Sequence, residues 1–284
     1  MSETRDYIDH HDFHDVEQGP AFQEWTKGME QFRPDHTSDL DGTLELHRED
    51  GGVLALTLDG RTARWTVAKA PSSPVQPFGA DDPDWFTRES GEGSLTVLPL
   101  PDDIYFIDVI VDEADEPNAT CATLVYDKRK NRALVVYTWT YDRGDMRRTR
   151  SAQYSVGVGG PSDDPIERTT DLVGRRAMWV YSDNHAYEHI YLNYGTYAWH
   201  CLAGPERSIA DVDQTKTFKI TDEIYVFFVT ETVFPWDGVF VLNFTPGAMT
   251  NIGRFFGWDP TPNVLAHNTF GARGRILNET EYVF

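Results

Sequence analysis

The chain has 284 residues, 40% hydrophobic and 13% aromatic, enough for one large domain or two ordinary ones with a sizeable core. Its 46 acidic residues against 25 basic ones leave a formal net charge of -21. That balance argues against nucleic acid or an anionic membrane as a partner, because both demand a basic footprint. Two cysteines, Cys121 and Cys201, are too few for a disulfide framework or a zinc knuckle.

The opening MSETRDYIDHHDFHD is polar. No apolar run reaches the roughly 18 residues of a membrane-spanning helix. A cytoplasmic protein without a membrane partner is the expectation. His10, His11 and His14 lie among aspartates and read as solvated tail. Phe22, Trp25, Met29 and Phe32 recur at helical spacing and predict one short amphipathic helix in a leader of residues 1–40.

From Gly42 the pattern turns to short strands. GTLELHRE, GGVLALTLDG and RTARWTVAKA come first, with Asp59-Gly60 as a hairpin signal. A loop rich in Pro, Ser and Asp follows (71–84). SLTVLPL, DDIYFIDVIVDE, ATCATLVYD and RALVVYTWTYD then read as strands, and QYSVGV as one more within the irregular stretch 142–168. The boundary between two domains is expected there, giving 41–160 and 165–284.

The second half repeats the first in order. GRTARWTVA resembles YGTYAWHCLA, aligning Trp65 with Trp199. LPDDIYFIDVI resembles ITDEIYVFFVT, aligning Ile104-Tyr105 with Ile224-Tyr225, and RALVVYTW resembles NIGRFFGW. Such a repeat implies duplication of an all-β unit, an antiparallel barrel or sandwich. A barrel of about eight strands can hold one small ligand.

The second copy carries unusual side chains. In YEHIYLN-YG-TYAWHCLA, a two-residue turn at Tyr194-Gly195 would set His189 opposite His200. One face would then hold Tyr187, His189, Tyr191, Thr196 and His200, and the other Glu188, Ile190, Leu192, Tyr197, Trp199 and Cys201. A one-residue bulge would undo that pairing. His185 and His189 are poor metal partners, since on a strand they lie about 13 Å apart; no metal and no cofactor is expected. In DEIYVFFVTETVFP, alternation puts Tyr225, Phe227, Val229 and Glu231 on one face. A carboxyl at the end of an aromatic row can stay protonated near neutrality and pass a proton.

The run YEHIYLN…YAWHCLAGPE…DVD…DEIYVFFVTE resembles the molybdenum-cofactor-biosynthesis F (MoaF-like) family. That resemblance implies two tandem calycin (lipocalin-like) β-barrels, with no settled biochemistry. A more distant resemblance links YSDNHAYEHIYLN and ITDEIYVFFVTETV to the phenolic acid decarboxylases, single lipocalin-like barrels that need no cofactor. It implies Glu231 as the proton-handling group and Tyr181 as a substrate-holding tyrosine. Tyr181 matches the second of two such tyrosines in that family, and Trp179 replaces the first. The family's arginine falls near Ile209, with Arg207 the closest cation.

Together these readings predict a cofactor-independent lyase or isomerase acting on a small aromatic or conjugated molecule. Glu231 and Tyr181 are the catalytic candidates; Trp179, Tyr187, His189, Trp199, His200, Arg207 and Tyr225 are the ligand-binding ones. The alternative is a non-catalytic carrier of a small hydrophobic ligand, and a third reading is a partner-binding protein with both barrels filled. Val111 stands where Glu231 does in the second copy, so the first barrel is expected to be scaffold. Association into a homodimer is open.

Overall fold

The structure, a computed structural model, describes residues 21–72, 83–112, 119–142, 147–232, 234–259 and 264–282. His10, His11 and His14 lie outside them. Among these residues sixteen strands form two closed antiparallel barrels, each an eight-stranded meander. The first comprises β1 (Gly42–Arg48), β2 (Val53–Asp59), β3 (Thr62–Lys69), β4 (Ser90–Leu100), β5 (Ile104–Asp112), β6 (Thr120–Asp127), β7 (Arg132–Asp142) and β8 (Arg147–Val158). The second comprises β9 (Arg175–Ser182), β10 (His185–Asn193), β11 (Thr196–Ala203), β12 (Ala210–Lys219), β13 (Ile224–Thr230), β14 (Trp236–Asn243), β15 (Thr250–Asp259) and β16 (Val264–Glu279). Closure comes from β1 pairing β8 and from β9 pairing β16, so neither sheet keeps a free edge. No helix among the described residues is long and apolar enough to cross a membrane.

The internal repeat is a repeat of strand position. Trp65 lies on the third strand of its barrel and Trp199 on the third of the other; Ile104 and Ile224 both begin the fifth. RALVVYTW and NIGRFFGW are both seventh strands. The stretch expected to be irregular after residue 142 is largely β8, the strand that closes the first barrel. Its alternation was diluted by Arg147, Arg148 and Arg150; the apolar residues it gives to the first barrel's interior are Ala152 and Val156, with Tyr154 and Val158 packed beside them.

Strand alternation sorts side chains into three large apolar bodies and a small fourth one around Cys121 and Phe256. The first barrel has a mainly aliphatic interior and the second a mainly aromatic one. A third body lies between the barrels, where Leu98, Phe106 and Val136 of the first meet Val226, Phe228 and Val241 of the second. Such side chains each contribute about 1.5–3 kcal/mol when fully buried, so the two barrels form one packed body. Charge is buried at the same seam. Arg254 is fully buried; it ion-pairs with Asp237 and donates to Thr123 Oγ1 (2.9 Å) and Thr138 Oγ1 (3.0 Å). Asp108, also buried, contacts His267 Nε2 at 2.6 Å.

The leader is helical for one turn only, α1 (Phe22–Trp25), and continues through turns to Phe32. Its apolar spacing nevertheless identifies real core residues. Phe22, Trp25 and Met29 are buried, and they are buried in the second barrel rather than in the first, which follows them in sequence.

Candidate functional site

The inward row of β13 is Tyr225, Phe227 and Val229, while Ile224, Val226 and Phe228 face the seam between the barrels. Glu231 follows that inward row by one more period of two, just beyond the strand end. It opens on a cavity of about 30 Å³, roughly the share of one water molecule in the liquid. Tyr181 and His189 line the same cavity, as do Tyr187, Tyr197 and Trp199. Alternation explains the set: Trp179 and Tyr181 are inward on β9, Tyr187, His189 and Tyr191 on β10, and Tyr197 and Trp199 on β11.

The β10–β11 register differs from the two-residue-turn expectation. A shift between Tyr191 and Asn193 pairs His189 with Trp199 and Glu188 with His200. One extra residue at Leu192 therefore rotates β11 by one position relative to β10. Tyr197, Trp199 and Cys201 turn inward, and His200 turns out. Outside the barrel, Glu188 is held by Arg176 and lies 3.7 Å from His200 Nδ1. Glu188 is thus an outer-face ion-pair residue, and His200 does not reach the cavity. Arg207 is exposed in the β11–β12 turn. Trp179 and Tyr225 belong to the aromatic interior but pack on Phe244 (centroids 5.6 and 6.1 Å), away from the cavity wall.

Three carboxyl groups, Glu231, Asp213 and Glu206, cluster at one end of the barrel. Glu231 hydrogen-bonds Asp213. Asp213 in turn accepts from Trp199 Nε1 through Oδ2 (2.8 Å) and from the Thr232 backbone N–H through Oδ1 (2.8 Å). Burial, followed by the negative charges of Asp213, Glu206 and Asp211, pushes the Glu231 carboxyl well above the ordinary carboxylate range. Burial also raises Asp213, against the Thr232 and Trp199 donors. Two carboxyls in contact share one proton. The donors on Asp213 favour its anion, so the proton belongs to Glu231.

Around that pair the titratable groups are held neutral. Burial pushes His189 down to about 3. Its imidazole sits among Tyr197 (5.3 Å), Phe240 (6.0 Å) and Phe227 (6.1 Å). Burial raises the Tyr181 phenol far above its usual value. Tyr181 accepts from Asn251 Nδ2 at 3.0 Å, which leaves its O–H to donate. Tyr187 donates to Glu206 Oε2 at 2.8 Å.

Residues beyond the sequence candidates complete the site. Asp213 belongs to the inward row Asp213, Thr215, Thr217 of β12, and that period-two polar row was the available signal. Glu206 is buried in the Gly204–Ser208 turn, where Ser208 adopts φ 76°. Trp25 enters from the leader. Its indole N–H lies 2.9 Å from Tyr187 Oη and 2.7 Å from Glu206 Oε2. The lining contains no Lys or Arg.

Residues 18–141 match the MoaF N-terminal domain and residues 166–280 the MoaF C-terminal domain. Protein MoaF of Klebsiella aerogenes is 33% identical over 248 residues, covering 82% of this chain and 92% of that protein. A solved structure titled a putative beta-lactamase from Burkholderia vietnamiensis is 13% identical, covers 39% of this chain and 100% of its own, and has a TM-score of 0.33. At that score it carries no argument.

Proposed function

We propose that this chain, which belongs to the MoaF family through both of its halves, works as a cofactor-independent proton-transfer enzyme, a lyase or isomerase, with its site in the second barrel. One observation carries the reading: Glu231, its carboxyl raised well above the ordinary range by burial and by Asp213, shares an aromatic-lined cavity with Tyr181 and His189. A carboxylic acid that keeps its proton near neutrality is a competent general acid. Glu231 would protonate a carbon of a conjugated substrate and recover a proton either from a second carbon of that substrate, which is an isomerisation, or from a water whose hydroxide adds to the protonated substrate, which is the hydration a lyase reverses. Tyr181 would donate to the oxygen on which charge develops. Neutral His189 would shape the cavity and take no proton.

The charge of the site restricts the substrate. Glu231, Glu206 and Asp213 crowd one end, and no cation lines the wall. A carboxylate substrate would meet like charge without an arginine to hold it. The favoured substrate is therefore a neutral phenol, enol or enone rather than a phenolic acid. The carrier reading draws support from the same wall, which is almost wholly aromatic.

Deuterium uptake from D2O into candidate enones and vinylphenols separates the two. Glu231→Gln keeps the shape and removes the transferable proton, and should slow carbon-bound exchange by about 10²–10⁴. Exchange at the native rate in Glu231→Gln would end the proton-transfer proposal. Binding of these compounds by the native chain with no exchange in any would favour the carrier.

A further inference from the structure

The cavity is small because a side chain of the leader fills the barrel mouth. The Trp25 ring packs against Phe255 (4.8 Å, edge-on), Trp236 (5.2 Å) and Tyr187 (6.5 Å). Its single polar hydrogen points at Glu206 and Tyr187. A buried Glu206 carboxylate facing an aromatic wall is costly unless a donor meets it. Here Tyr187 donates to it, and so does an indole that no strand of the second barrel supplies.

The leader is attached to the second barrel by a few bonds. The Phe22 N–H donates to Asp259 Oδ2 (2.8 Å), Gly271 N–H donates to Met29 O (3.0 Å), and Arg33 Nη1 donates to Thr269 Oγ1 (2.6 Å). None of these is a ladder bond of either barrel, so the segment can lift off while both sheets stay closed. Lys27, exposed at its middle, marks the segment for a protease.

We propose that Trp25 is a built-in surrogate for the ligand: the second barrel takes a planar aromatic molecule with an N–H or O–H donor, which seats where the indole lies, donates to Glu206, and enters by exchange with the Phe22–Phe32 strap. This deepens the function proposed above, on which it rests. It names the ligand class and assigns Glu206, with Tyr187, as the group that reads the donor. It also accounts for a cavity too small for any substrate while the strap is seated. The donor end is held on the Glu206 side, and Glu231 and Tyr181 line the same space beside it.

The test uses the full chain carrying Trp25→Ala, with indole and indene as probes. The two have nearly the same shape, and only indole has the N–H. A hydrogen bond to a charged acceptor contributes enough that indole should bind about tenfold or more tightly than indene. Trp25→Ala/Glu206→Gln should lose that preference. Indole binding no tighter to Trp25→Ala than to the native chain, or equal binding of the two probes, overturns the proposal. A second variant serves if Trp25→Ala does not fold. Trp25→Phe keeps an aromatic ring and removes the donor, so trypsin should cut after Lys27 several-fold faster than in the native chain, and faster again with indole present. Cleavage that indole leaves unchanged refutes the exchange. These results do not depend on turnover. A failed titration removes the surrogate and leaves the Glu231 proposal standing, and a fully active Glu231→Gln does the reverse.

Discussion

His189 makes a quantitative prediction about acid stability. Burial among Tyr197, Phe227 and Phe240 lowers its pKa to about 3, against about 6.5 in an unfolded chain. A histidine with a depressed folded-state value contributes no penalty above pH 6.5. Below it, the unfolded chain binds a proton that the folded chain refuses, so stability falls with pH until about pH 3. From pH 6.5 to pH 4 the separation is 2.5 units, and at about 1.4 kcal/mol per unit the loss is about 3 kcal/mol. His189→Leu removes the titrating group at similar volume. Urea denaturation of both proteins at pH 7, 6, 5 and 4, followed by tryptophan fluorescence, gives the difference directly. Every other carboxylate and histidine is common to both and cancels. The native chain should lose about 3 kcal/mol more than His189→Leu on going to pH 4. Parallel curves, within about 1 kcal/mol, would mean that His189 takes a proton while folded, and the picture of a dry, neutral cavity wall would be wrong.

Two further outcomes follow from the packing. Arg254→Met leaves Asp237 and Asp108 buried without their cation, a loss of about 3–5 kcal/mol by chemical denaturation; a loss under about 1 kcal/mol would show that the seam between the barrels does not depend on the pair. A Cβ at Gly271 would stand 2.4 Å from the Arg33 backbone nitrogen, so Gly271→Ala should lift the strap at a cost of about 1–3 kcal/mol and speed tryptic cleavage after Lys27. Native-rate cleavage in that variant would show that the strap is held by contacts other than those at Gly271.

Much of the architecture was legible because it rests on period-two alternation, which survives in almost every strand. The repeat aligned Trp65 with Trp199 and Ile104 with Ile224, and both pairs occupy equivalent strands. The position of Glu231 followed from the same rule, one period past Val229. What alternation cannot encode is an extra residue. Leu192 reversed the face of β11 and removed His200 from the site, although the aromatic side of Tyr197 and Trp199 was the better candidate for burial. Long-range placement was equally hidden. Trp25 was recognisable as a core residue from its spacing with Phe22 and Met29, but nothing local tells that its partners are Tyr187 and Glu206, in the other half of the chain.

The two barrels solve one filling problem in two ways, and the difference bears on where exchange can happen. Strand side chains alone leave space at a barrel mouth, and each barrel closes it with an aromatic pair. In the first, Trp85 and Phe86 come from the β3–β4 connection; Trp85 stacks on Tyr137, and Arg48 clamps the neighbouring Asp84 with two bonds of 2.9 Å. That plug is tied at both ends to adjacent strands of its own sheet, so withdrawing it strains the ladder and breaks a buried ion pair. In the second, Phe22 and Trp25 come from outside the sheet, and the strap leads into β1 of the other barrel. It can move while β9–β16 keep every hydrogen bond. An interior that must admit a ligand needs a closure that opens at less cost than unfolding. The second barrel has that closure and also holds the Glu231–Asp213 pair, whereas the first has Val111 at the matching place.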